Sequence, residues 1–387
     1  MRRIALKMLF GDSAKFYGIL LGLTFATLLI TQQSAIFVGL MTRTYALIEE
    51  IPQADLWVAD PTLQFVDDTK PMPVTALDRV RSVNGVEWAS PLFKSILVAK
   101  LPNGGRQLCD VVGVDDATLI GAPAVVMEGK VEDLRKPDAI FVETRGARKQ
   151  LMQPATDDPN GPKRPMQVGD VLELNERRAV VVGIAETRPS FQNVPTIYTT
   201  YFRAIGFAPA NRRTLSMVLV KAAPEQDVLQ LKQRIETETG LSAYTPEEFS
   251  WKTLNYWMNQ TGIPINFGIA ILLGFLVGVA IAGQMFYNFT LDNLKYFGAM
   301  KAMGCTSVQL LVMVALQGLA AGVLGLGLGL GLTAAFGLSV PPDKLAFKLT
   351  WHLPLLSAGA VTIIVVGASL LSMLKVIRLD PKEVFSG

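Results

Sequence analysis

Histidine and cysteine are almost absent from this chain. Its 387 residues include one histidine, His352, and two cysteines, Cys109 and Cys305. A His-rich zinc site and the HExxH motif are therefore excluded, and a catalytic triad would have only His352 as its base. Two cysteines also exclude a disulfide framework. We predict a non-catalytic chain that holds no metal and no cofactor of its own.

Charge is scarce as well: 18% of the residues are charged, whereas half are hydrophobic. Soluble domains carry roughly 25% charged residues. Charge is absent from residues 16–42, 253–291, 302–342 and 349–374, and each stretch exceeds the ~20 apolar residues that cross a bilayer as a helix. We therefore predict transmembrane helices at 17–40, 263–289, 306–337 and 352–374, embedded in the lipid bilayer.

The long segment between the first two predicted helices, residues 41–262, has the composition of a water-soluble domain. The predicted fold class is an α-helical membrane protein with four transmembrane helices and a mixed α/β extracytoplasmic domain between helices 1 and 2. The remaining predicted segments are an N-terminal interfacial segment at 1–16, an inner-face helix at 290–305, an outer loop at 338–351 and a tail at 375–387.

Basic residues near the spans predict the orientation. Cytoplasmic loops carry the excess of Lys and Arg. One side of the membrane would hold Arg2, Arg3, Lys7, Lys15, Lys295, Lys301, Lys375, Arg378 and Lys382, and the other Arg43, Lys252, Lys344 and Lys348. This asymmetry predicts that both termini lie in the cytoplasm and that the large domain lies outside, which in a bacterium with two membranes means an inner-membrane protein with a periplasmic domain. The first apolar run is too long for the core of a cleaved signal peptide, so we interpret it as a retained anchor.

The pattern of the extracytoplasmic domain is mixed α/β. Helices are predicted at 74–83 and 224–239, a strand pair at 86–99 and 106–114, and a hairpin at 171–174 and 179–184. Residues 36–51 and 247–262 are predicted to continue the first two spans outward as helical stalks. Two lobes are expected, the second an insertion at about 115–212.

Small residues recur every four positions in the spans. The first span has Gly18, Gly22 and Ala26, the second Gly274, Gly278 and Ala282, and the third Gly318, Gly322, Gly325 and Gly329. Such spacing lets helix backbones approach closely. For the first two spans, packing within one bundle and a seam between two protomers are equally compatible with the pattern, whereas the third favours bundle packing. No Asp, Glu, Lys or Arg lies inside a span, which disfavours an ion-driven transporter.

Residues 295–307 (KYFGAMKAMGCTS) form a short, helix-compatible segment at the inner face. Tyr296, Met300 and Met303 recur at i, i+4 and i+7 beside Phe297, and Lys295 and Lys301 edge this apolar ridge. A ridge of this kind suits the groove of a partner protein. The alternative is an interfacial helix resting on lipid.

This segment, up to Gly304, resembles the coupling helix of the FtsX/MacB-type ABC transporter permeases. Gly298, Lys301, Ala302 and Gly304 match its pattern, although Lys295 stands where an acidic residue is usual. The C-terminal IRLDPKEV at 377–384 and the segments VGDVLEL at 168–174 and VVVGI at 180–184 also resemble family motifs. The arrangement of one span, a large outer domain and three spans is similar too.

The resemblance implies a fold, partners and a mechanism. The outer domain would be a MacB-like periplasmic core with an inserted lobe. The chain would form a homodimer above two separate cytoplasmic ATPase subunits, which bind ATP and Mg and dock on Lys295, Tyr296, Phe297, Met300, Lys301, Met303 and Gly304. ATP-driven motion would pass through the spans to the outer domains. Similarity to DevC-like members implies export with a periplasmic adaptor of the membrane-fusion type and an outer-membrane factor.

Two other functions remain compatible with the sequence. The chain could regulate a cell-wall hydrolase, as FtsX-like relatives do, or it could be a membrane-anchored receptor that acts through a docked partner. The short cytoplasmic segments mean that any output depends on a partner. No feature predicts a nucleic-acid partner. The chain has no Walker A motif, so the energy for transport would come from a separate ATPase.

Overall fold

A computed structural model describes residues 2–155, 161–209, 214–341 and 344–377 of the chain. It contains two compact units: Met1–Leu40 with Gly262–Gly387, and Met41–Thr261. The predicted C-terminal motif at 377–384 lies outside the described residues except for Ile377, as do residues 378–387 of the predicted tail.

Helices form most of the first unit and flank the sheet of the second. In chain order they are α1 (Arg2–Gly11), α2 (Ser13–Arg43), α3 (Ala46–Glu50), α4 (Thr75–Arg81), α5 (Thr144–Arg148), α6 (Tyr201–Phe207), α7 (Val228–Thr239), α8 (Pro246–Asn259), α9 (Ile263–Asp292), α10 (Leu294–Ala302), α11 (Ser307–Ser339) and α12 (His352–Ile377), with a 3-10 helix at Val131–Arg135. Within the described ranges, four helices are long and apolar enough to cross a membrane: α2, α9, α11 and α12. A helix suits that environment because it satisfies its backbone hydrogen bonds internally.

Capping residues set several of these helix ends. Asp227 caps α7 by accepting from the backbone N–H of Leu229, 2.8 Å away, so that helix begins four residues later than the predicted residue 224. Gly240, in the left-handed conformation, ends it. Thr245 and Glu248 form a capping box at the start of α8.

The predicted continuous stalks are interrupted in the structure. The helix α2 ends at Arg43, and α3 begins at Ala46 after a turn. Residues 260–262 likewise separate α8 from α9, and Pro264 lies in the first turn of α9. Proline favours a first helical turn because it has no N–H to donate, so a new helix begins here.

The second unit contains one ten-stranded sheet. The described strands of this unit, in that sheet and in one separate pair, are β1 (Leu56–Ala59), β2 (Val86–Lys100), β3 (Arg106–Val114), β4 (Val125–Glu128), β5 (Ala139–Glu143), β6 (Gln153–Pro154), β7 (Lys163–Arg164), β8 (Val171–Leu174), β9 (Arg177–Glu186), β10 (Thr196–Thr200), β11 (Met217–Ala222) and β12 (Ser242–Tyr244). The order is β12-β1-β11-β2-β3-β10-β5-β9-β4, with β8 paired to β2 and β9, and β6 and β7 form a separate pair.

Apart from the short pair β6–β7, the described strands of the inserted lobe predicted at about 115–212 do not form a separate sheet. Its strands β10, β5, β9 and β4 extend the sheet from β3. The long strand β2 makes this possible, because its first half pairs with β11 and its second half with β3. The predicted hairpin is present as β8 and β9, joined by the positive-φ residues Asn175 and Glu176.

Candidate functional site

The inner-face segment folds as the short helix α10 between α9 and α11. Asn293 precedes it, and its buried side chain donates to the Phe289 carbonyl at 2.8 Å. Gly304 ends the segment with a φ of 98°, a conformation that favours glycine. Thr306 and Gln309 then form a capping box that starts α11. Local sequence thus fixes a helix of nine residues at this position.

The predicted apolar ridge divides between two faces of α10. Tyr296 and Met303 are 65% and 77% exposed, whereas Phe297 and Met300 are only 1% and 8% exposed. Phe297 and Met300 belong to a buried cluster with Ala5 of α1 and with Leu310, Met313 and Val314 of α11. The prediction that Phe297 and Met300 form part of an exposed docking ridge is therefore wrong for this chain as folded.

The reason lies in helix geometry. Phe297 and Met300 are three positions apart and share one face, which the short helix turns towards its own bundle. Lys295, Tyr296, Met303 and Gly304 remain exposed, and Lys301 is half-buried. These five residues are the remaining candidates for contact with a partner.

The small residues of the first two spans lie at the contact between α2 and α9 within one chain. A β-carbon added to Gly278 would lie 2.5 Å from the Ala26 Cβ, and one added to Gly22 would lie 2.5 Å from Ile281. At the flanks of this contact, Gly18 faces Met285 and Gly274 faces Leu29. Ala26 and Ala282 are fully buried. These residues therefore take part in packing within the bundle of one chain, and a seam between protomers stays a prediction.

The third span packs by the same means. Gly318 and Gly322 of α11 face Val365 of α12, whereas Gly325 and Gly329 face Leu23 and Thr27 of α2. Close contact of this kind lets α11 approach two neighbouring helices at once.

Polar side chains add specific contacts to the bundle. The hydroxyl groups of Thr31 and Ser357 share a hydrogen bond of 2.7 Å, and Gln317 donates to the Ala5 carbonyl at 2.9 Å. Lys15 pairs with Asp12 at 2.6 Å and also with Asp292, at the end of α9. Sequence reasoning missed this three-membered ion cluster because Lys15 and Asp292 are distant in the chain.

The outer domain holds a second cluster that the sequence analysis missed. Lys94 of β2 and Asp110 of β3 are both buried and form an ion pair, and Asp67 lies 3.2 Å from the Lys94 ammonium. Burial alone would lower the pKa of Lys94, but Asp110 and Asp67 together raise it above its usual range. Burial raises the pKa of Asp110 more than the Lys94 charge lowers it. The one sequence feature that could have indicated this cluster is Lys94, a lysine in the middle of an apolar strand.

A third group of contacts shows the structural role of the VGDVLEL segment at 168–174. Gly169 has a φ of 98°, and Asp170 accepts a hydrogen bond of 2.7 Å from the Gln167 N–H. Both Asp170 oxygens also accept from Arg164, at 2.6 and 2.7 Å. The motif therefore stabilises the turn that leads into β8.

The described spans and the inserted α/β domain define a class: a multi-pass membrane protein with a large extracellular domain between its first two spans. The FtsX-like permease C-terminal model matches residues 268–381, and the MacB-like periplasmic core domain model matches residues 18–238. The second match covers more than half of the chain. The chain therefore belongs to the FtsX/MacB-type ABC transporter permeases, which confirms the predicted family and fold class.

Related proteins are also named as ABC transporter permeases, in agreement with this family. An uncharacterized ABC transporter permease of Mycobacterium tuberculosis (strain CDC 1551 / Oshkosh) is 24% identical over 325 residues, covering 82% of this chain and 80% of that protein. One of Mycobacterium bovis (strain ATCC BAA-935 / AF2122/97) is 26% identical over 287 residues, covering 70% of this chain and 74% of that protein.

Two solved structures are also similar to part of the chain. The extracellular domain of the noncanonic ABC-type transporter YknZ from Gram-positive bacteria is 10% identical, covers 50% of this chain and 99% of that chain, and has a TM-score of 0.35. The periplasmic region of MacB from Actinobacillus actinomycetemcomitans is 11% identical, covers 56% of this chain and 98% of that chain, and has a TM-score of 0.37.

Proposed function

We propose that this permease transmits ATP-driven motion of a separate cytoplasmic ATPase to its outer domain, and that it drives export together with a periplasmic adaptor and an outer-membrane factor. ATP and Mg bind to the ATPase. The permease works as a homodimer in the inner membrane, with both termini and α10 in the cytoplasm.

The two-faced packing of α10 carries this proposal. Tyr296 on its exposed face and Met303 directly after its last residue are an aromatic and a flexible apolar side chain of the kind that partner grooves accept. Its buried face packs Phe297 and Met300 against α1 and α11. Because protein interiors are close-packed and transmit strain, a displacement of α10 by a docked partner moves the helices behind it.

The composition of the spans favours a role in transmitting motion over a role as a conduction path for a substrate. Among the described residues, charged residues of the spans occur only near the helix ends, at Lys15, Arg43, Asp292 and Lys375. The close contacts of glycine with neighbouring side chains leave little room for a polar path between α2, α9 and α11. A substrate handled outside the membrane fits this arrangement.

Co-purification of the cognate ATPase tests the docking surface. The double variant Tyr296→Asp, Met303→Asp places two charges on the exposed face and should release the ATPase. The matched control Tyr296→Phe, Met303→Leu keeps the apolar surface and should retain it. Both side chains are exposed, so both variants should fold. If the double Asp variant recovers the ATPase at the wild-type level, the proposed contact is contradicted.

Isolation of the whole complex separates export from the other two functions. A membrane-fusion-type adaptor that co-purifies with the permease and is required for export supports the proposal. A cell-wall hydrolase in its place would identify an FtsX-like regulator. A receptor would change the activity of its docked partner on ligand binding and would need no adaptor.

A further inference from the structure

One face of the helix α1 packs against the bundle. Ala5 and Leu9 lie four positions apart on that face, and both are fully buried. Ala5 belongs to the cluster that α1 forms with α10 and α11, and the Gln317 side chain donates to its carbonyl at 2.9 Å. These contacts fix which side of α1 is turned away from the bundle.

The side of α1 that is turned away is basic. Arg3 and Lys7 are exposed and lie four positions apart, so they share one helix face. Exposed apolar side chains flank them: Ile4 is 47% exposed and Phe10 is 51% exposed. A short helix that combines Lys or Arg with exposed aromatic and aliphatic residues is typical of attachment to a membrane surface.

Both basic side chains are available to an anion from outside the chain. Two acidic residues lie at the adjoining helix ends, Asp12 before α2 and Asp292 at the end of α9. Both of them contact the Lys15 ammonium. Within the described ranges, neither Arg3 nor Lys7 takes part in an ion pair. The charge of this face is therefore not compensated by the described part of the chain.

Contacts between the spans give the level of α1 along the bundle. Leu23 and Thr27 of α2 lie beside Gly325 and Gly329 of α11, so the two helices run in the same direction. Counting back equally from Leu23 and from Gly325 places Gln317 level with the start of α2. Because Gln317 holds α1, this helix lies where the charge-free run 16–42 begins. Lipid headgroups border the hydrocarbon core at that level.

Aromatic residues support this level. The Phe10 ring packs edge-on against Phe16, with 4.9 Å between the ring centroids, and the next residue, Tyr17, is exposed. Aromatic residues at the end of a span are typical of the membrane interface. The helix α11 continues from Gln317 back to Ser307, roughly 15 Å, so the segment that joins it to α10 lies farther from the apolar core. A lipid therefore suits the basic face better than a docked ATPase does.

We propose that the exposed face of α1 binds an anionic phospholipid of the leaflet at this end of the bundle. Arg3 and Lys7 contact the phosphate oxygens, and Ile4 and Phe10 contact the acyl chains next to the headgroup. Basic residues and buried apolar area both contribute to such binding. The site does not involve the exposed residues of α10, so it stands or falls separately from the proposed docking of an ATPase.

Native mass spectrometry of the purified full-length permease in an uncharged detergent tests this proposal. Phosphatidylglycerol is the probe, and phosphatidylcholine, whose headgroup has no net charge, is the matched control lipid. We expect at least one phosphatidylglycerol to bind about tenfold more tightly than phosphatidylcholine, since each basic residue adds attraction to an anionic headgroup. Equal binding of the two lipids overturns the proposal.

Variants assign the binding to α1. Arg3→Gln, Lys7→Gln removes both charges and should weaken phosphatidylglycerol binding about tenfold or more. Arg3→Lys, Lys7→Arg keeps the charges and should bind as the wild-type protein does. Both side chains are exposed, so both variants should fold. Unchanged binding in the Gln variant would place the lipid elsewhere and overturn the site.

A second pair of lysines controls for a general effect of charge. Lys344 and Lys348 are exposed in the loop between α11 and α12. Lys344→Gln, Lys348→Gln removes as much charge as the α1 variant but leaves α1 intact, so the preference for phosphatidylglycerol should persist. An equal loss of binding in both Gln variants would show attraction by net charge alone and would contradict a site on α1.

Two further measurements separate a lipid from other anions. Glycerol phosphate has the charge but no acyl chains, and a large excess should not displace phosphatidylglycerol; complete displacement would indicate a site for a free phosphate compound and overturn the lipid assignment. The Arg3→Gln, Lys7→Gln variant should still recover the ATPase. Loss of the ATPase with unchanged lipid binding would identify this face as an ATPase contact instead. The lipid measurement uses the permease alone, so it decides the site even if no ATPase docks.

Discussion

Gly278 of α9 faces Ala26 of α2 so closely that a β-carbon at position 278 would lie 2.5 Å from the Ala26 Cβ. Ile364 of α12 closes the same site, 3.0 Å from that position. Three spans therefore meet at one glycine, and the volume available there is already filled.

This contact predicts that adding one methyl group at position 278 lowers the stability of the bundle. Gly278→Ala should destabilise the bundle by about 1–3 kcal/mol because the added carbon overpacks the site. Gly283→Ala, five residues on, is the matched control, since nothing lies within 4 Å of its added carbon. We expect a lower thermal unfolding midpoint in detergent for Gly278→Ala and an unchanged or higher midpoint for Gly283→Ala. Equal midpoints for the two variants would contradict the packing described.

The exposed face of α8 predicts a cross-linking result. Trp251, Asn255 and Met258 are exposed at i, i+4 and i+7 of this helix. If the two protomers of the proposed dimer move against each other through this face, Asn255→Cys should form a disulfide between them and block transport. ATPase co-purification should remain unchanged. Glu238→Cys, exposed on α7, is the control. Full transport in a cross-linked Asn255→Cys dimer would argue for a static scaffold.

Orientation can be tested with a membrane-impermeant thiol reagent. Cys109 is a poor probe because it is buried, and burial raises the pKa of its thiol further. The exposed position Glu238→Cys is a better one. In intact spheroplasts the reagent should label Glu238→Cys and spare Cys305 until the membrane is opened. Labelling of Cys305 alone would mean that the predicted orientation is inverted.

The Arg164–Asp170 pair predicts an acid-dependent loss of stability. Burial would raise the pKa of Asp170, but its hydrogen bonds from Arg164 and from the Gln167 N–H outweigh this and lower that pKa below its usual value. A lowered carboxyl pKa stabilises the folded state above pH ~4, and that stabilisation is lost as the pH falls through the lowered value. Asp170→Asn should therefore cost about 1–3 kcal/mol at pH 7, and its difference from the wild-type protein should shrink in acid.

Hydrogen exchange in the segment around β8 and thermal unfolding in detergent both report this loss. Glu173→Gln is the control, because Glu173 and its partner Lys100 are about half exposed, and exposed pairs contribute little. A pH-independent difference between Asp170→Asn and the wild-type protein would count against the ionic origin of the effect.

Local patterns in the sequence were sufficient for elements whose signals lie within a few residues. The apolar runs predict the four long helices, and the strand pair predicted at 86–99 and 106–114 is present as the antiparallel strands β2 and β3. The amphipathic pattern of α7 was also correct, with Leu231 and Ile235 buried. Each of these signals depends on periodicity or turn chemistry alone.

Contacts between distant residues could not be predicted in this way. The pattern of α10 shows an apolar ridge, but only the position of Ala5 and Met313 decides that Phe297 and Met300 face inward. The glycine stripes likewise fit two interpretations until their partners Ala26 and Ile281 are known. The pairing of Lys94 with Asp110 depends on the register of two strands, which the sequence leaves open.

The register of the first strand has a consequence for biogenesis. Leu56 of β1 pairs with Val220 of β11, and Trp57 pairs with Tyr244 of β12. Both partners of this strand are therefore made long after it. At the usual rate of synthesis the wait is on the order of ten seconds. During that time the apolar strand Leu56–Ala59 has no pairing strand, so we expect the newly made outer domain to need a chaperone until β11 and β12 are complete.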